Sequence, residues 1–287
     1  MAYLLSLPAK RVRPVLTVMG CELFGGHGKD VLDEAVAIEL FHNFTLMHDD
    51  IMDASPLRRG RPTVHAKWDV NTAILSGDAM LVKAYQLMGA NAEVLSIFNR
   101  HAIEVCEGQQ LDMDFERRDI VSLSDYAAMI RLKTAVLLAC ALRIGACKAG
   151  APLDDQERIS SFGENLGLAF QLRDDLLDAF GDDDRTGKVS GGDLRNGKKT
   201  WLLIRGLELE QHLGRNVLMD QLRLPSVQRD AKLMVQALRE YGVEREAEIE
   251  VARLEGIAFA QLDDLDGPGR STEDLRILAN ALRARVS

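Results

Sequence analysis

No apolar run in this 287-residue chain is long enough to cross a bilayer. The longest, AVLLACAL at 135–142, falls far short of the roughly 20 residues that a spanning helix needs, which argues against integral membrane association. The opening stretch, MAYLLSLPAKRVRP, has no basic segment ahead of its short apolar part and no small-residue cleavage site, so it does not read as a signal peptide. Positive charge is not in excess either. Lys and Arg number 35 against 44 Asp and Glu, a formal net charge of −9, and nucleic acid is therefore a poor partner. Cys21, Cys106, Cys140 and Cys147 fall in no CxxC or Cys/His spacing and read as reduced, mostly buried thiols of a cytoplasmic protein.

Proline is scarce, and none lies between Pro62 and Pro152 or between Pro152 and Pro225. Alternating strand patterns, low-complexity linkers and short repeats are missing too. What fills these spaces is helical: VLDEAVAIELFHNFTLMHDD and SDYAAMIRLKTAVLLACALRIGA carry apolar residues at helical spacing. Breaks are expected at 24–30, 54–63, 148–155 and 181–199, where glycine, proline and charge gather. The reading is an all-α single domain over 1–287, and its apolar content of 47% is ample for a large core.

Two acidic clusters of the same form stand out: HDDIMD, with Asp49, Asp50 and Asp53, and RDDLLD, with Asp174, Asp175 and Asp178. Each spaces carboxylates at i, i+1 and i+4, so the outer two share a helix face. Six carboxylates cannot share a pocket as bare anions. Hard divalent cations resolve this, and Mg²⁺ favours a few carboxylates completed by water and substrate phosphates. A solvated helix end explains either cluster alone about as well, but explains two embedded in apolar sequence poorly. Basic residues follow or flank the clusters: Lys10, Arg11 and Arg13 near the start, Arg58, Arg59 and Arg61 after the first cluster, and Lys188, Lys198 and Lys199 after the second. Arginine grips phosphate with a planar fork and lysine as a point charge, so the sum is a magnesium–diphosphate site.

KRVRP at 10–14, ELFHNFTLMHDDIMDASPLRRGRPTVH at 39–65, AILSGD at 73–78, GQQLD at 108–112, KTA at 133–135, FQLRDDLLD at 170–178 and GKVSGGDLRNGKKT at 187–200 occur in that order. From about residue 8 to 205 the chain resembles the trans-type isoprenyl diphosphate synthases, or polyprenyl synthetases. The resemblance implies mostly antiparallel helices around a deep central cavity, the isoprenoid synthase fold, usually as a homodimer. It implies head-to-tail condensation of isopentenyl diphosphate with an allylic diphosphate, using three Mg²⁺ per active site. By the same analogy Asp49, Asp53 and Asp174 ligate Mg²⁺, with Asp50, Asp175 and Asp178 assisting. Arg58, Lys133, Lys188 and Lys198 grip the allylic diphosphate, and Lys10, Arg13, His42 and Arg59 hold isopentenyl diphosphate. Thr134 and Gln171 direct oxygen dipoles toward the carbocation, with Lys133 beside it.

In such enzymes the residues before the first cluster floor the tunnel for the growing chain. Phe44 and Phe41 precede Asp49 by five and eight residues, or roughly 7–8 Å and 12 Å along a helix. Phe44 with no insertion inside DDIMD resembles geranylgeranyl diphosphate synthases, with a farnesyl product as the alternative. Phe98, Trp68 and Trp201 read as core, and His48 as packing against its neighbouring aspartate.

The chain departs from the family at Pro8-Ala9, where Gly-Gly is usual, and it starts where family members carry a further helix, which reads as a missing first helix. A class I terpene cyclase is disfavoured by the second aspartate cluster, and a non-catalytic partner subunit by the retention of all six aspartates.

Overall fold

A computed structural model describes residues 1–181 and 191–284. In chain order its helices are α1 (Ala2–Leu5), α2 (Val12–Leu23), α3 (Leu32–Met52), α4 (Val64–Lys67), α5 (Val70–Met88), α6 (Ala92–Glu116), α7 (Leu123–Ile130), α8 (Val136–Lys148) and α9 (Leu153–Phe180). There follow α10 (Gly192–Asn196), α11 (Trp201–Leu213), α12 (Val217–Leu222), α13 (Ala231–Glu240), α14 (Val243–Asp263) and α15 (Glu273–Ala284). The only strands among the described residues are β1 (Leu57–Arg58) and β2 (Arg61–Pro62), a two-residue antiparallel hairpin. The all-α class expected from the sequence is the class observed. Among these residues no helix is long and apolar enough to cross a membrane.

Helix ends follow local chemistry. Asp69 starts α5 by accepting a hydrogen bond from the Thr72 amide, and Gly89, at a φ of +70°, ends it. Ser122 and Asp125 form a reciprocal capping box at the start of α7. Between α7 and α8 the chain makes one π-helical turn, Arg131–Ala135. Such turns hold an extra residue and recur at functional sites.

The fold divides into two compact units. The first comprises 1–103, 137–163 and 262–275, and the second 104–136, 164–261 and the chain from Arg276 on. In the first, α3 lies along α5 and against α2. Its core includes Phe41, Phe98, Phe162, Ile38, Met80 and Leu142, all almost wholly buried. Leu4 and Leu7 from the N-terminal segment pack with Met47, Met80 and Phe44, so the start of the chain backs the helix that carries the first acids. In the second unit, α9, α11, α13 and α14 enclose Leu172, Leu203, Leu218, Met234 and Leu238. A neighbouring cluster joins Phe115, Tyr126, Ile130 and Ile204. The aromatic expectations divide: Phe98 is core, whereas Trp68 is 51% exposed and stacks edge-on against Tyr3.

Candidate active site

In the first unit, Asp49 and Asp50 lie in the last turn of α3 and Asp53 caps it. A helix C-terminus carries partial negative charge, so three acids there are held at an electrostatic cost that invites a cation. Within the chain Arg58 supplies one. Its Nε donates to Asp50 Oδ1 at 2.7 Å and its Nη2 to Asp49 Oδ2 at 3.2 Å. Asp50 is buried while Asp53 is exposed. Burial pushes the Asp50 carboxyl upward against the opposing pull of Arg58. Its Oδ2 is enclosed with no hydrogen-bond partner. Carboxylate oxygens are the donors a hard cation such as Mg²⁺ prefers, yet among the described residues no three acidic, histidine or cysteine side chains are gathered closely enough to hold a metal ion.

Arg58 is aimed by the hairpin. Leu57 pairs with Pro62 and Arg58 with Arg61, across Arg59 and Gly60, whose φ values are +54° and +72°. Positive φ at both central residues marks a tight turn whose twist suits the strands. A left-handed arginine costs about 1–3 kcal/mol, and strain of this kind gathers at functional sites. Among the described residues the non-glycine positions with positive φ are Arg11, Ala54 and Arg59, each next to a residue expected to bind diphosphate or metal.

Arg13, on α2, and His42, on α3, meet at 3.1 Å, Nη1 to Nε2. Burial lowers the Arg13 pKa to about 10, with Glu39 opposing. Burial also holds His42 well below its usual range, reinforced by the charges of Arg13, Arg59 and Arg58. Those four residues therefore form one cationic neighbourhood, with Glu39 as the nearby acid. Lys10 is exposed on the segment before α2.

Below the acids runs a ladder of rings. His48 and Phe44 have centroids 4.7 Å apart, Phe44 and Phe41 5.6 Å, Phe41 and Phe98 5.2 Å, and Phe98 and Tyr85 5.1 Å. Phe41 is buried and Phe44 only partly so. His48 Nε2 lies 3.2 Å from the Ile74 carbonyl oxygen, and a Cβ at Gly77 would collide with its ring. Thus His48 packs between α3 and α5, its contacts running to α5 instead of to the neighbouring Asp49.

In the second unit, Gln171, Asp174, Asp175 and Asp178 lie along α9. Asp174 is exposed, Asp178 partly buried and Asp175 buried. Asp175 accepts hydrogen bonds from the Tyr126 hydroxyl and, at 3.1 Å, from Gln171 Nε2. Burial drives its carboxyl up to about 7, while those two hydrogen bonds and the Lys198 charge pull the other way. Both clusters are therefore built alike: the middle acid turns inward onto side-chain donors, and the outer pair is the more open. Asp178 also organises the chain after α9, accepting from Gly191 N at its carbonyl (2.6 Å) and from Asp193 N at Oδ2 (2.9 Å).

Lys133 and Thr134 sit in the π turn. Lys133 Nζ donates to Asp112 Oδ2 at 2.5 Å. A Cβ at Gly108 would clash with the backbone of Lys133, so the glycine lets α6 approach the turn. Lys198 precedes Thr200, whose hydroxyl caps α11. Lys188 lies outside the described residues. Sequence reasoning missed Tyr126 as a partner of Asp175. The two are 49 residues apart, and no spacing signal connects them.

A family model described as polyprenyl synthetase matches residues 1–240. The chain belongs to the polyprenyl synthetase family. It is 43% identical over 213 residues to a geranylgeranyl diphosphate synthase of Methanosarcina mazei, covering 72% of this chain and 66% of that relative. A geranylgeranyl diphosphate synthase of Sulfolobus acidocaldarius is 43% identical over 216 residues, with the same two coverages. The matched stretch thus spans just under two thirds of each curated relative's length. Among solved structures, a geranylgeranyl pyrophosphate synthase superposes with a TM-score of 0.90 at 42% identity, covering 98% of this chain and 88% of that one. The fold is therefore the polyprenyl synthetase fold.

Proposed function

We propose that this polyprenyl synthetase is a prenyltransferase, working as a single synthase domain, that condenses isopentenyl diphosphate head-to-tail with an allylic diphosphate and releases geranylgeranyl diphosphate. The observation that carries the reading is the matched build of the two aspartate clusters, each with its middle acid held inward and its outer pair open. The intact second cluster favours a synthase over a terpene cyclase, and the full set of six acids favours it over a non-catalytic subunit.

In this reading Asp49, Asp53 and Asp174 would hold Mg²⁺, three ions per site, with Asp50, Asp175 and Asp178 assisting as further ligands or as supports of those that bind. Bound Mg²⁺ supplies the positive charge that a departing diphosphate requires. Arg58, Lys133, Lys188 and Lys198 grip the same diphosphate and take up charge as the allylic C–O bond breaks. Arg13, His42, Arg59 and Lys10 hold isopentenyl diphosphate, so that its alkene meets the cation without a loss of orientation. Thr134 and Gln171 present oxygen dipoles to the cation, and the apolar wall keeps water away. The new C–C bond forms from the alkene electron pair, and a proton then leaves to the released diphosphate.

Phe44 floors the growing chain, with Phe41 and the rings behind it in support. A farnesyl product is the second reading, favoured by the unbroken Phe44–Phe41 pair. The apolar outer face of α5, with exposed Ile74, Leu75, Val82 and Tyr85, supports a homodimer. Free Cys21, Cys106, Cys140 and Cys147 support a reducing, cytoplasmic setting. Incubation with isopentenyl and dimethylallyl diphosphates plus Mg²⁺, followed by mass spectrometry, tests the reading. A C20 diphosphate supports it, a C15 product supports the farnesyl reading, and hydrocarbon formed from geranylgeranyl diphosphate alone would replace it with a cyclase.

A further inference from the structure

The segment that carries Lys198 is held at both ends. At its start, Gly191 and Asp193 are hydrogen-bonded to Asp178. At its far end α10 stops after five residues in Gly197, at a φ of +74°. There Gly197 N donates to Leu194 O and Lys198 N to Asp193 O, each at 3.0 Å. The Arg195 carbonyl is taken by a side chain 34 residues away, Arg229, whose Nη1 donates to it at 2.9 Å.

The same guanidinium donates through Nη2 to Leu222 O at 3.1 Å and through Nε to Leu224 O at 3.0 Å. Three carbonyls in different directions match the fixed fork of a guanidinium, and a lysine ammonium on its flexible stem does not offer that geometry. Gly197 leaves the room: a Cβ there would lie 2.6 Å from Arg229 Nη1. Arg229 is itself anchored by its neighbour. The Asp230 amide donates to Gln221 Oε1 at 2.8 Å, and the Asp230 carboxylate caps α13 through Leu233 N at 3.1 Å.

We infer that Arg229 is a positioning residue for Lys198: by clamping the backbone at the Arg195 carbonyl, where Gly197 leaves room for it, it sets where the lysine ammonium stands for the allylic diphosphate. The inference rests on the role proposed for Lys198. It gives a catalytic purpose to a residue well beyond the last acidic motif.

Steady-state kinetics on the full chain test it, with geranyl diphosphate varied at saturating isopentenyl diphosphate and the reverse. The variants are Arg229→Gln, Lys198→Met and the two combined. Arg229→Gln is expected to raise KM for geranyl diphosphate by about tenfold, with KM for isopentenyl diphosphate held within about twofold. Lys198→Met is expected to raise the same constant, and the double variant to be no worse than Lys198→Met alone. Arg229→Lys should restore only part of the loss. If Lys198→Met leaves the allylic KM unchanged, the role of Lys198 fails and the inference with it. If Lys198→Met raises it while Arg229→Gln does not, or if the two effects add, only the inference fails. Should Arg229→Gln not fold, Gly197→Ala pushes the guanidinium aside and must give the same split between the two KM values. An equal rise in both constants would leave Arg229 as a fold brace alone.

Discussion

Arg13 donates through Nη1 to Nε2 of His42. A guanidinium offers only donors, so the nitrogen it meets carries the lone pair, and His42 is neutral with its proton on Nδ1. The folded protein therefore refuses a proton that the unfolded chain accepts near the ordinary histidine value of about 6.5.

That refusal has a sign. Below the unfolded pKa the unfolded state binds more protons, so stability falls as acid is added, by at most about 1.4 kcal/mol per pH unit. Between about pH 7.5 and pH 5.5 the Tm of the wild type is expected to fall more steeply than that of His42→Gln. The offset from the lost hydrogen bond is constant and does not change the slope. Parallel slopes would mean that folded His42 takes up the proton.

Phe44→Ala is expected to shift the products toward longer chains. Phe41 is 1% exposed, so Phe41→Ala should also cost about 3–5 kcal/mol of stability. Product mass spectrometry and a urea melt separate the two effects. An unchanged product distribution in Phe44→Ala would remove it as the floor.

The open and enclosed acids should fail differently. Asp53→Ala and Asp174→Ala are expected to keep the wild-type Tm, while activity falls by more than about a hundredfold and the Mg²⁺ requirement rises. Asp175→Ala instead strands the Tyr126 hydroxyl and the Gln171 amide, at about 1–3 kcal/mol, and should melt earlier. Equal melting of all three variants would contradict the inward placement of Asp175.

Asp112→Asn weakens the charged partner that holds Lys133. The expectation is a fall in kcat of about tenfold with little change in Tm, because the pair is partly exposed and structurally cheap. An unaltered kcat would show that Lys133 finds its position without Asp112.

The helices α3 and α9 and both acid clusters were legible in the sequence, because apolar period and i, i+4 spacing are local properties. Which aspartate of each triad turns inward was not. That depends on Arg58 reaching back over a hairpin and on Tyr126 arriving from α7, and neither contact has a spacing of its own. Trp68 was misread for the same reason: a large ring suggests core, but the ring leans on Tyr3 at the surface, with Lys67 Nζ 4.8 Å from its centroid. Arg229 gave no signal at all, since an arginine that serves only carbonyls looks like any solvated charge.

The π turn at Arg131–Ala135 amounts to a residue kept in surplus. Deleting one position there would regularise the helix and improve its hydrogen bonding, while swinging Lys133 by about 100° away from Asp112. Random mutagenesis under selection for heat resistance alone should therefore find such deletions, and selection for turnover should discard every one of them.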